Sequence, residues 1–192
     1  DLLQGLLMQS LTTLRGLTTL PILLKGVLRS DDARQAIAAG AAGLVVSNHG
    51  GRTLDTAVAT ARALPRIVDA VAGAVPVLVD GGIRRGTDVL KALALGADAV
   101  LVGRPQVHAL TVAGAQGVAH MIRLLRDELE IAMALCGCAT LADIEPSLLG
   151  SRSTVEDLVV QGDPVTHLMP WQHELLFDAV NQALGKTEAA AA

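Results

Sequence analysis

Short apolar runs rich in β-branched residues alternate along the chain with longer segments of helical periodicity. The apolar runs lack the strict alternation of half-exposed strands, which is typical of parallel strands covered on both faces. Four such strands are predicted, at Pro21–Val27, Gly43–Ser47, Val75–Asp80 and Ala99–Gly103. Regular alternation of strand and helix with short connections predicts a parallel α/β fold with right-handed crossovers.

A helical segment follows each predicted strand, and ordinary start and stop signals mark some of its limits. Ser30, Asp31 and Asp32 are N-cap candidates for the first of these helices, and Gly40 is its stop signal. The predicted helices are Ala33–Ala39, Ala57–Val71, Thr87–Leu95 and Val118–Leu135. A further amphipathic segment, Leu2–Leu20, precedes the first strand and is interpreted as the helix of a preceding unit.

Two architectures fit this order of elements, a (β/α)8 barrel and a doubly wound sheet. The first strand is not followed by the G-x-G-x-x-G turn of dinucleotide-binding sheets. Every strand instead ends on a polar or glycine-rich tip: Lys25-Gly26, Ser47-Asn48-His49, Asp80-Gly81-Gly82 and Gly103-Arg104. In a barrel those tips converge on the face that carries the chemistry. The pattern therefore favours the barrel.

The number of strands is half of what a barrel requires. A (β/α)8 barrel has eight strands and about 250 residues, whereas four strands are predicted in these 192 residues. We therefore expect residues 1–145 to be the last four βα units of a TIM barrel. Residues 146–192 are expected to form a C-terminal extension, with Trp171 and Phe177 in an oligomer contact. The start at Asp1, without an initiator Met, is interpreted as the middle of a longer chain or a processed product.

Composition narrows the classes of partner. The chain is 51% apolar and 1% aromatic, with a net charge of −4. Few aromatic side chains for base stacking and no basic excess argue against nucleic-acid binding. Cys136 and Cys138 are interpreted as reduced thiols of an intracellular protein, without histidines spaced for a zinc site. We expect no metal, no membrane span and a cytoplasmic location.

Four cations lie at or just past the carboxyl ends of the predicted strands. They are Lys25, Arg52, Arg84 and Arg104. Each taken alone is consistent with a solvated loop charge, because charged residues are mostly exposed. Four cations at equivalent positions of a barrel are more easily explained by anionic ligands.

The segment Ser47–Arg52 carries the sharpest chemical signal. Histidine exchanges protons near neutral pH, so His49 is a candidate general base. The guanidinium of Arg52 can hold a carboxylate with two hydrogen bonds. Gly50 and Gly51 allow a tight turn and the close approach of a flat ligand. The alternative is a glycine-rich turn with a capped histidine and no chemistry.

A phosphate site is predicted after the last two strands, where barrels commonly bind phosphate. The amides of Gly81 and Gly82, the N-terminus of the following helix and Arg84 would form an anion cradle. Gly103 and Arg104, after the fourth strand, would add a second cation.

Four segments together resemble the FMN-dependent 2-hydroxy-acid oxidase/dehydrogenase family, which includes glycolate and lactate oxidases. They are LLKG, SNHGGRTLD, DGGIRRGTDVLKALALGADAV and VGRP, and the resemblance runs from about Leu14 to Ile144. It implies FMN-dependent oxidation of an (S)-2-hydroxy acid to a 2-oxo acid, with electrons passing from FMN to oxygen or another acceptor.

The resemblance also implies a role for each matching position. His49 would take a proton from the 2-hydroxyl or the α-carbon of the substrate, and Arg52 would pair with its carboxylate. Lys25 would stabilise reduced FMN at the N1/C2 carbonyl edge, and Ser47 would contact the flavin ring system. The ribityl and phosphate end of FMN would be held by Asp80, Gly81, Gly82, Ile83, Arg84, Gly103 and Arg104.

The sequence departs from the family at two points. Thr53 stands where the family often has Gln, and His108-Ala109 replaces an aromatic residue and Gly. Neither touches the implied chemistry. The remaining histidines are interpreted as structural or surface residues: His108, His120, His167 and His173.

The family also draws on tyrosines and an acidic residue from its first four strands, and this chain contains no Tyr. We therefore expect a partnership with the N-terminal half of the barrel, on the same or a cleaved chain, and a homo-oligomer. One alternative is a catalytically incomplete half-barrel that binds FMN or phosphate and needs an N-terminal partner. Another FMN or phosphate barrel, such as an isomerase, is disfavoured because it would not need the pair of His49 and Arg52.

Overall fold

The computed structural model of the chain describes residues 2–150, with side chains from Gln9 onward. Parallel strands and helices alternate through this part of the chain. The strands are Leu23–Val27 (β1), Gly43–Val46 (β2), Val77–Asp80 (β3) and Ala99–Leu101 (β4). The helices are Leu2–Leu17 (α1), Ser30–Ala38 (α2), Thr60–Val71 (α3), Gly86–Ala94 (α4) and Arg104–Leu135 (α5). Short 3-10 turns lie at His49–Gly51, Leu141–Asp143 and Pro146–Leu148.

The four strands form one parallel sheet in the order β1-β2-β3-β4, so the predicted strands and their parallel arrangement are confirmed. Lys25 pairs with Val45, and Asp80 pairs with Leu101 at the carboxyl end of the sheet. The register of β1 shifts by one residue between Lys25 and Val27, which leaves Gly26 as a bulge. Consecutive neighbours joined by helices are the connectivity of a (β/α) barrel segment.

One side of the sheet carries the hydrophobic core. Leu44 and Val46 of β2 and Val79 of β3 are almost fully buried, as are Leu64 and Ile67 of α3. These aliphatic side chains belong to one continuous cluster with small residues from α2 and α4. The helix-facing side therefore excludes water, as expected for strands covered by crossover helices.

The opposite side of the sheet is more open among the described residues. Because side chains alternate along a strand, this side receives Lys25 and Leu23 of β1 and Leu101 of β4. Leu23 is 42% exposed and Leu101 37% exposed, although both are aliphatic. The strands that carry them, β1 and β4, are the two edges of the sheet. In a closed barrel these edges would be paired and this side would be the interior.

The sequence-based prediction of the N-cap of α2 was wrong. Ser30 lies inside the first turn of α2 and Arg29 is the N-cap, so none of the predicted residues caps that helix. The Ser30 hydroxyl instead donates to the carbonyl of Arg66 at 2.9 Å. Helix α5 begins at Arg104, upstream of the predicted helix Val118–Leu135, and Pro105 lies in its first turn, where its missing N–H has no helical partner.

The long helix α5 is two helical segments rather than one. Its backbone leaves the helical region at Ala113 (φ −146°) and at Gly114 (φ 56°). The predicted helix Val118–Leu135 corresponds to the second segment, which packs against α4.

Several predictions concern residues outside the described part. Trp171, Phe177, His167 and His173 lie there, as does nearly all of the extension predicted at 146–192, so the division at residue 145 stays a prediction. His108 and His120 are described and are exposed on α5, in agreement with the sequence interpretation. Within residues 2–150, no helix combines the length and apolar character needed to cross a membrane.

Candidate active site

The carboxyl ends of the strands open into one cleft with a volume of about 580 Å³. The loops after β2, β3 and β4 supply most of its walls, with Thr60 of α3 behind them. Every predicted site residue except Ser47 lines this cleft: Lys25, His49, Arg52, Asp80, Gly81, Gly82, Ile83, Arg84, Gly103 and Arg104. The tertiary structure thus brings residues separated by up to 79 positions to one place.

An ion pair spans the floor of the cleft. The Nζ of Lys25 on β1 lies 2.7 Å from Oδ2 of Asp80 on β3 and donates to the Ser47 hydroxyl at 2.8 Å. The second carboxylate oxygen of Asp80, Oδ1, is buried and has no hydrogen-bond partner among the described residues. A buried acceptor without a donor is costly, so this atom is suited to a hydroxyl or N–H group of a ligand.

Ser47 lies beneath the cleft rather than on its wall. Its side chain is fully buried, and its oxygen accepts from Lys25 Nζ and from the backbone N–H of His49 at 3.2 Å. The contact with a flavin ring that the family resemblance implies for Ser47 stays a prediction. What Ser47 does contact is the pair of residues that flank it in the site.

The loop after β2 presents His49 in an unusual backbone conformation. His49, Gly50 and Gly51 have successive φ values of 55°, 70° and 73°. This left-handed region is disfavoured for a residue with a Cβ, and such strain is concentrated at functional sites. The turn is closed by Asn48, whose Oδ1 accepts from the Gly51 N–H at 3.2 Å and whose Nδ2 donates to the carbonyl of Val58 at 3.3 Å.

Sequence reasoning missed two residues that shape this loop. Asn48 was not singled out, although an Asn before glycines is a common turn former through its own side chain. Gly26 was noted only as a strand tip. A Cβ at Gly26 would lie 3.2 Å from Cε1 of His49, and its φ of 101° disfavours any other residue. The bulge in β1 therefore makes room for the imidazole.

Arg104 is hydrogen-bonded to the protein backbone, whereas Arg52 is not. The Nη2 of Arg104 donates to the carbonyl of Gly50 at 2.6 Å and ties the start of α5 to the His49 loop. The Arg52 guanidinium and the His49 ring make no hydrogen bond with other described residues. Both side chains are exposed and available to a ligand in the cleft.

Carboxylates of the protein itself occupy part of the predicted anion cradle. The Gly86 N–H at the start of α4 donates to Glu128 Oε2 at 2.8 Å, and Asp88 Oδ2 accepts from the N–H groups of Arg84 and Arg85 at 3.0 Å each. Two carboxylates therefore occupy the N-terminus of α4, which was expected to bind phosphate. Glu128 could not be foreseen because it comes from α5, 42 residues further along the chain.

The rest of the cradle is open. Gly81 and Gly82 have φ values of 91° and 83°, so the turn after β3 is left-handed. A Cβ at Gly82 or Gly103 would meet no atom within 4 Å. The backbone at these positions is accessible from the cleft, beside the guanidinium groups of Arg84 and Arg104.

Three side chains with a shifted pKa do not line the cleft: Asp31, Asp143 and Cys138. Hydrogen bonds from Arg29 lower the pKa of Asp31 to about 2. Hydrogen bonds from the N–H and hydroxyl of Thr140 lower the pKa of Asp143. Burial raises the pKa of the Cys138 thiol. Residues 2–150 contain no cluster of three His, Cys, Asp or Glu side chains arranged for a metal ion.

Comparison with known proteins identifies the family of the chain. Residues 2–151 match the model of the FMN-dependent dehydrogenase family, and the chain belongs to that family. An L-lactate oxidase of Roseobacter sp. (strain GAI101) is 64% identical over 129 residues, covering 67% of this chain and 35% of the relative. The peroxisomal (S)-2-hydroxy-acid oxidase GLO4 of Oryza sativa subsp. japonica is 54% identical over 156 residues, covering 81% and 40% respectively.

Solved structures show the same partial correspondence. A mandelate oxidase crystallised with 3,3-difluoro-2-hydroxy-3-phenylpropionic acid is 53% identical, with a TM-score of 0.71. The match covers 72% of this chain and 42% of that structure. The chain therefore spans less than half of the length of these relatives. The predicted family, its FMN cofactor and a partial TIM-barrel fold are confirmed.

Proposed function

We propose that the protein, with its barrel complete, oxidises a small (S)-2-hydroxy acid to the corresponding 2-oxo acid. Electrons would pass to FMN and then to oxygen or another acceptor. The observation that carries this proposal is the cleft itself, where an open glycine turn lies beside a histidine ring and an arginine that bond no other side chain or backbone group of residues 2–150. Relatives of the same family are named as oxidases of lactate, glycolate and mandelate.

The cleft fits FMN on its own chemistry. Arg84 and Arg104 would hold the phosphate, with the accessible amides at Gly82 and Gly103. The unpartnered Oδ1 of Asp80 would accept from a hydroxyl of the ribityl chain. When bound, FMN supplies a two-electron acceptor, which no amino-acid side chain provides.

Lys25 would lie beside the flavin and stabilise the negative charge of its reduced form. Its position is secured by two neighbours, since Asp80 and Ser47 both contact Nζ. The ammonium is 43% exposed, so it also faces the cleft. A cation that is already fixed in place stabilises negative charge as it develops, without a free-energy cost for rearranging the site.

Substrate would be held by Arg52 and deprotonated by His49. The guanidinium matches a carboxylate with two parallel charged hydrogen bonds, which orients the 2-hydroxyl carbon. His49 would take a proton from the 2-hydroxyl or from the α-carbon. In the first route the α-hydrogen leaves with the electron pair as a hydride. In the second route the electron pair leaves without it, and the hydroxyl hydrogen is lost as a second proton. Either route removes two electrons and two protons from the acid and yields the 2-oxo product.

The N-terminal half of the barrel is proposed as the partner of this chain's sheet. β1 and β4 are edge strands among the described residues, and each exposes aliphatic side chains toward the barrel interior. Unpaired edges of this kind promote association with other strands. Four further strands, on the same or a separate chain, would pair both edges, and residues 146–192 would contact another subunit.

A second function is favoured by the same open edges: binding of FMN without turnover by this half alone. An anaerobic absorbance spectrum tests both. Bleaching of the flavin on addition of glycolate, lactate or mandelate supports the oxidase. A flavin that binds and is not reduced by any of the three supports the binding module, and mass spectrometry then shows whether an N-terminal half is present.

Cytoplasmic location is retained as a proposal. One relative is named as a peroxisomal enzyme, so the family is not confined to one compartment. Fractionation of cells that express the tagged protein would locate it.

A further inference from the structure

Ser47 is buried below the cleft and bonds both Lys25, the proposed neighbour of the flavin, and His49, the proposed base. We propose that Ser47 is a positioning residue, whose hydroxyl holds the His49 backbone in the left-handed conformation that aims the imidazole into the cleft. This inference rests on the proposed oxidase function and goes beyond it, because it assigns Ser47 to the base rather than to the flavin.

The hydrogen bonds of Ser47 carry the argument. A hydroxyl oxygen has two lone pairs, and both are used here, one by Lys25 Nζ at 2.8 Å and one by the His49 N–H at 3.2 Å. The side chain is fully buried at the end of β2, so water does not compete for these bonds. Ser47 therefore connects the cation on β1 to the loop after β2.

The two partners depend on Ser47 to different degrees. Lys25 keeps its ion pair with Asp80 at 2.7 Å if the hydroxyl is removed. Among the described residues, the His49 N–H has no acceptor other than Ser47, and its φ of 55° is an unfavourable conformation for a residue with a Cβ. Two other side chains hold the turn after His49, Asn48 through the Gly51 N–H and Arg104 through the Gly50 carbonyl, and neither of them bonds the His49 N–H. Loss of the hydroxyl is therefore expected to release His49 more than Lys25.

The order of effects follows from this difference. A base displaced by about 1 Å slows catalysis by as much as 100-fold. We expect Ser47→Ala to lower kcat for flavin reduction about 10- to 100-fold, while KM and the FMN dissociation constant change by less than about threefold. A residue whose main role is contact with the flavin would instead weaken FMN binding.

Hydrogen exchange supplies a readout that needs no turnover. In the FMN-loaded protein, the His49 amide is expected to exchange at least about tenfold faster in Ser47→Ala than in wild type, since a lost hydrogen bond of about 1.4 kcal/mol corresponds to tenfold. Ser47→Cys keeps the side-chain volume with a weaker acceptor and should lie between the two. Ser30→Ala is the matched control, because its hydroxyl donates to Arg66 away from the cleft.

The possible outcomes separate the proposals. Faster His49 exchange with reduced kcat and retained FMN affinity supports the positioning role. Unchanged exchange, or weakened FMN binding with unchanged kcat, overturns it. If wild-type protein reduces no 2-hydroxy acid, the proposed oxidase function fails, while the exchange measurement still decides whether Ser47 holds His49.

Discussion

The helix-facing side of the sheet and its cleft side are built from the same four strands, yet they differ in almost every physical property. The first is an aliphatic layer in which Leu44, Leu64 and Ile67 are fully buried. The second holds charges, left-handed glycines and a strained histidine, and its edge leucines are exposed. Packing against helices thus supports the fold, while the opposite side is left open to the proposed ligands and to the proposed N-terminal half of the barrel.

This difference predicts that substitutions on one side affect activity and those on the other affect stability. The His49 ring and the Arg52 guanidinium make no hydrogen bond within the described part, so their loss costs little folding free energy. The buried aliphatic side chains of α3, Leu64 and Ile67, do not line the cleft. The following changes test that separation, from the largest expected effect to the smallest.

His49→Gln is expected to lower the rate of flavin reduction by substrate about 10²- to 10⁴-fold, the usual contribution of a general base. FMN binding and the unfolding midpoint should stay close to wild type. Stopped-flow absorbance measures the rate, and His108→Gln on the exposed part of α5 is the control. Full reduction at the wild-type rate would exclude His49 as the base.

Leu64→Ala is expected to reduce the free energy of unfolding by about 2–5 kcal/mol, because it leaves a cavity in the helix-facing core. Denaturant titration measures it. Leu135→Ala is the matched control, since Leu135 is 84% exposed. A similar loss at Leu135 would mean that another part of the protein covers that residue, and the contrast between buried and exposed sites would weaken.

Arg52→Met is expected to lower kcat/KM about 10- to 100-fold, mainly through KM, because charged hydrogen bonds contribute about 1.5–3 kcal/mol. Steady-state kinetics with lactate or glycolate checks it. Arg62→Met, on the exposed side of α3 outside the cleft, should leave KM unchanged. An unchanged KM in Arg52→Met would argue against the carboxylate clamp.

Gly86→Ala is expected to destabilise the fold by about 1–3 kcal/mol through overpacking. An added Cβ would overlap the backbone of α5 at Glu128 and Leu129, where α4 and α5 meet. Gly16→Ala on α1, where a Cβ meets nothing within 4 Å, should be neutral or stabilising by about 0.5–1 kcal/mol. Thermal unfolding distinguishes the two, and equal midpoints would contradict the close contact.

Asp31→Asn is expected to have the smallest effect and to act only through pH. The pKa of Asp31 is lowered to about 2, so its pairing with Arg29 adds stability above pH 4 that disappears as the pH falls toward 2. The effect is small because the pair is exposed. Denaturation at pH 6 and pH 2.5 should show less pH dependence in Asp31→Asn than in Asp69→Asn.

Much of the fold was predictable because its signals are local. Apolar runs with β-branched residues located all four strands, and glycines at the strand tips located the loops. The predictions failed where a residue's partner is distant in sequence. Ser30 bonds Arg66 rather than capping α2, and Glu128 fills the N-terminus of α4. Neither contact can be predicted from the neighbouring residues in the sequence, because the partners are 36 and 42 positions apart.

The candidate site shows the same division. His49, Arg52, Lys25 and the glycine turns were identified from residue type and position at the strand ends. Asn48 and Gly26 were not, because their importance depends on a turn and a bulge that form only in the folded loop. Ser47 was identified, but its buried contacts with Lys25 and the His49 amide could not be foreseen, because they form only in the folded chain.

By itself the sequence determined which side chains are candidates for the chemistry and which apolar runs become strands, because charge, size and backbone preference belong to single residues. Only the tertiary structure decided which of those side chains pair, which helix terminus stays open and which face of the sheet is left uncovered. Hydrogen bonds and burial depend on distances across the fold, and those distances are set by the packing of strands β1 to β4 with their helices.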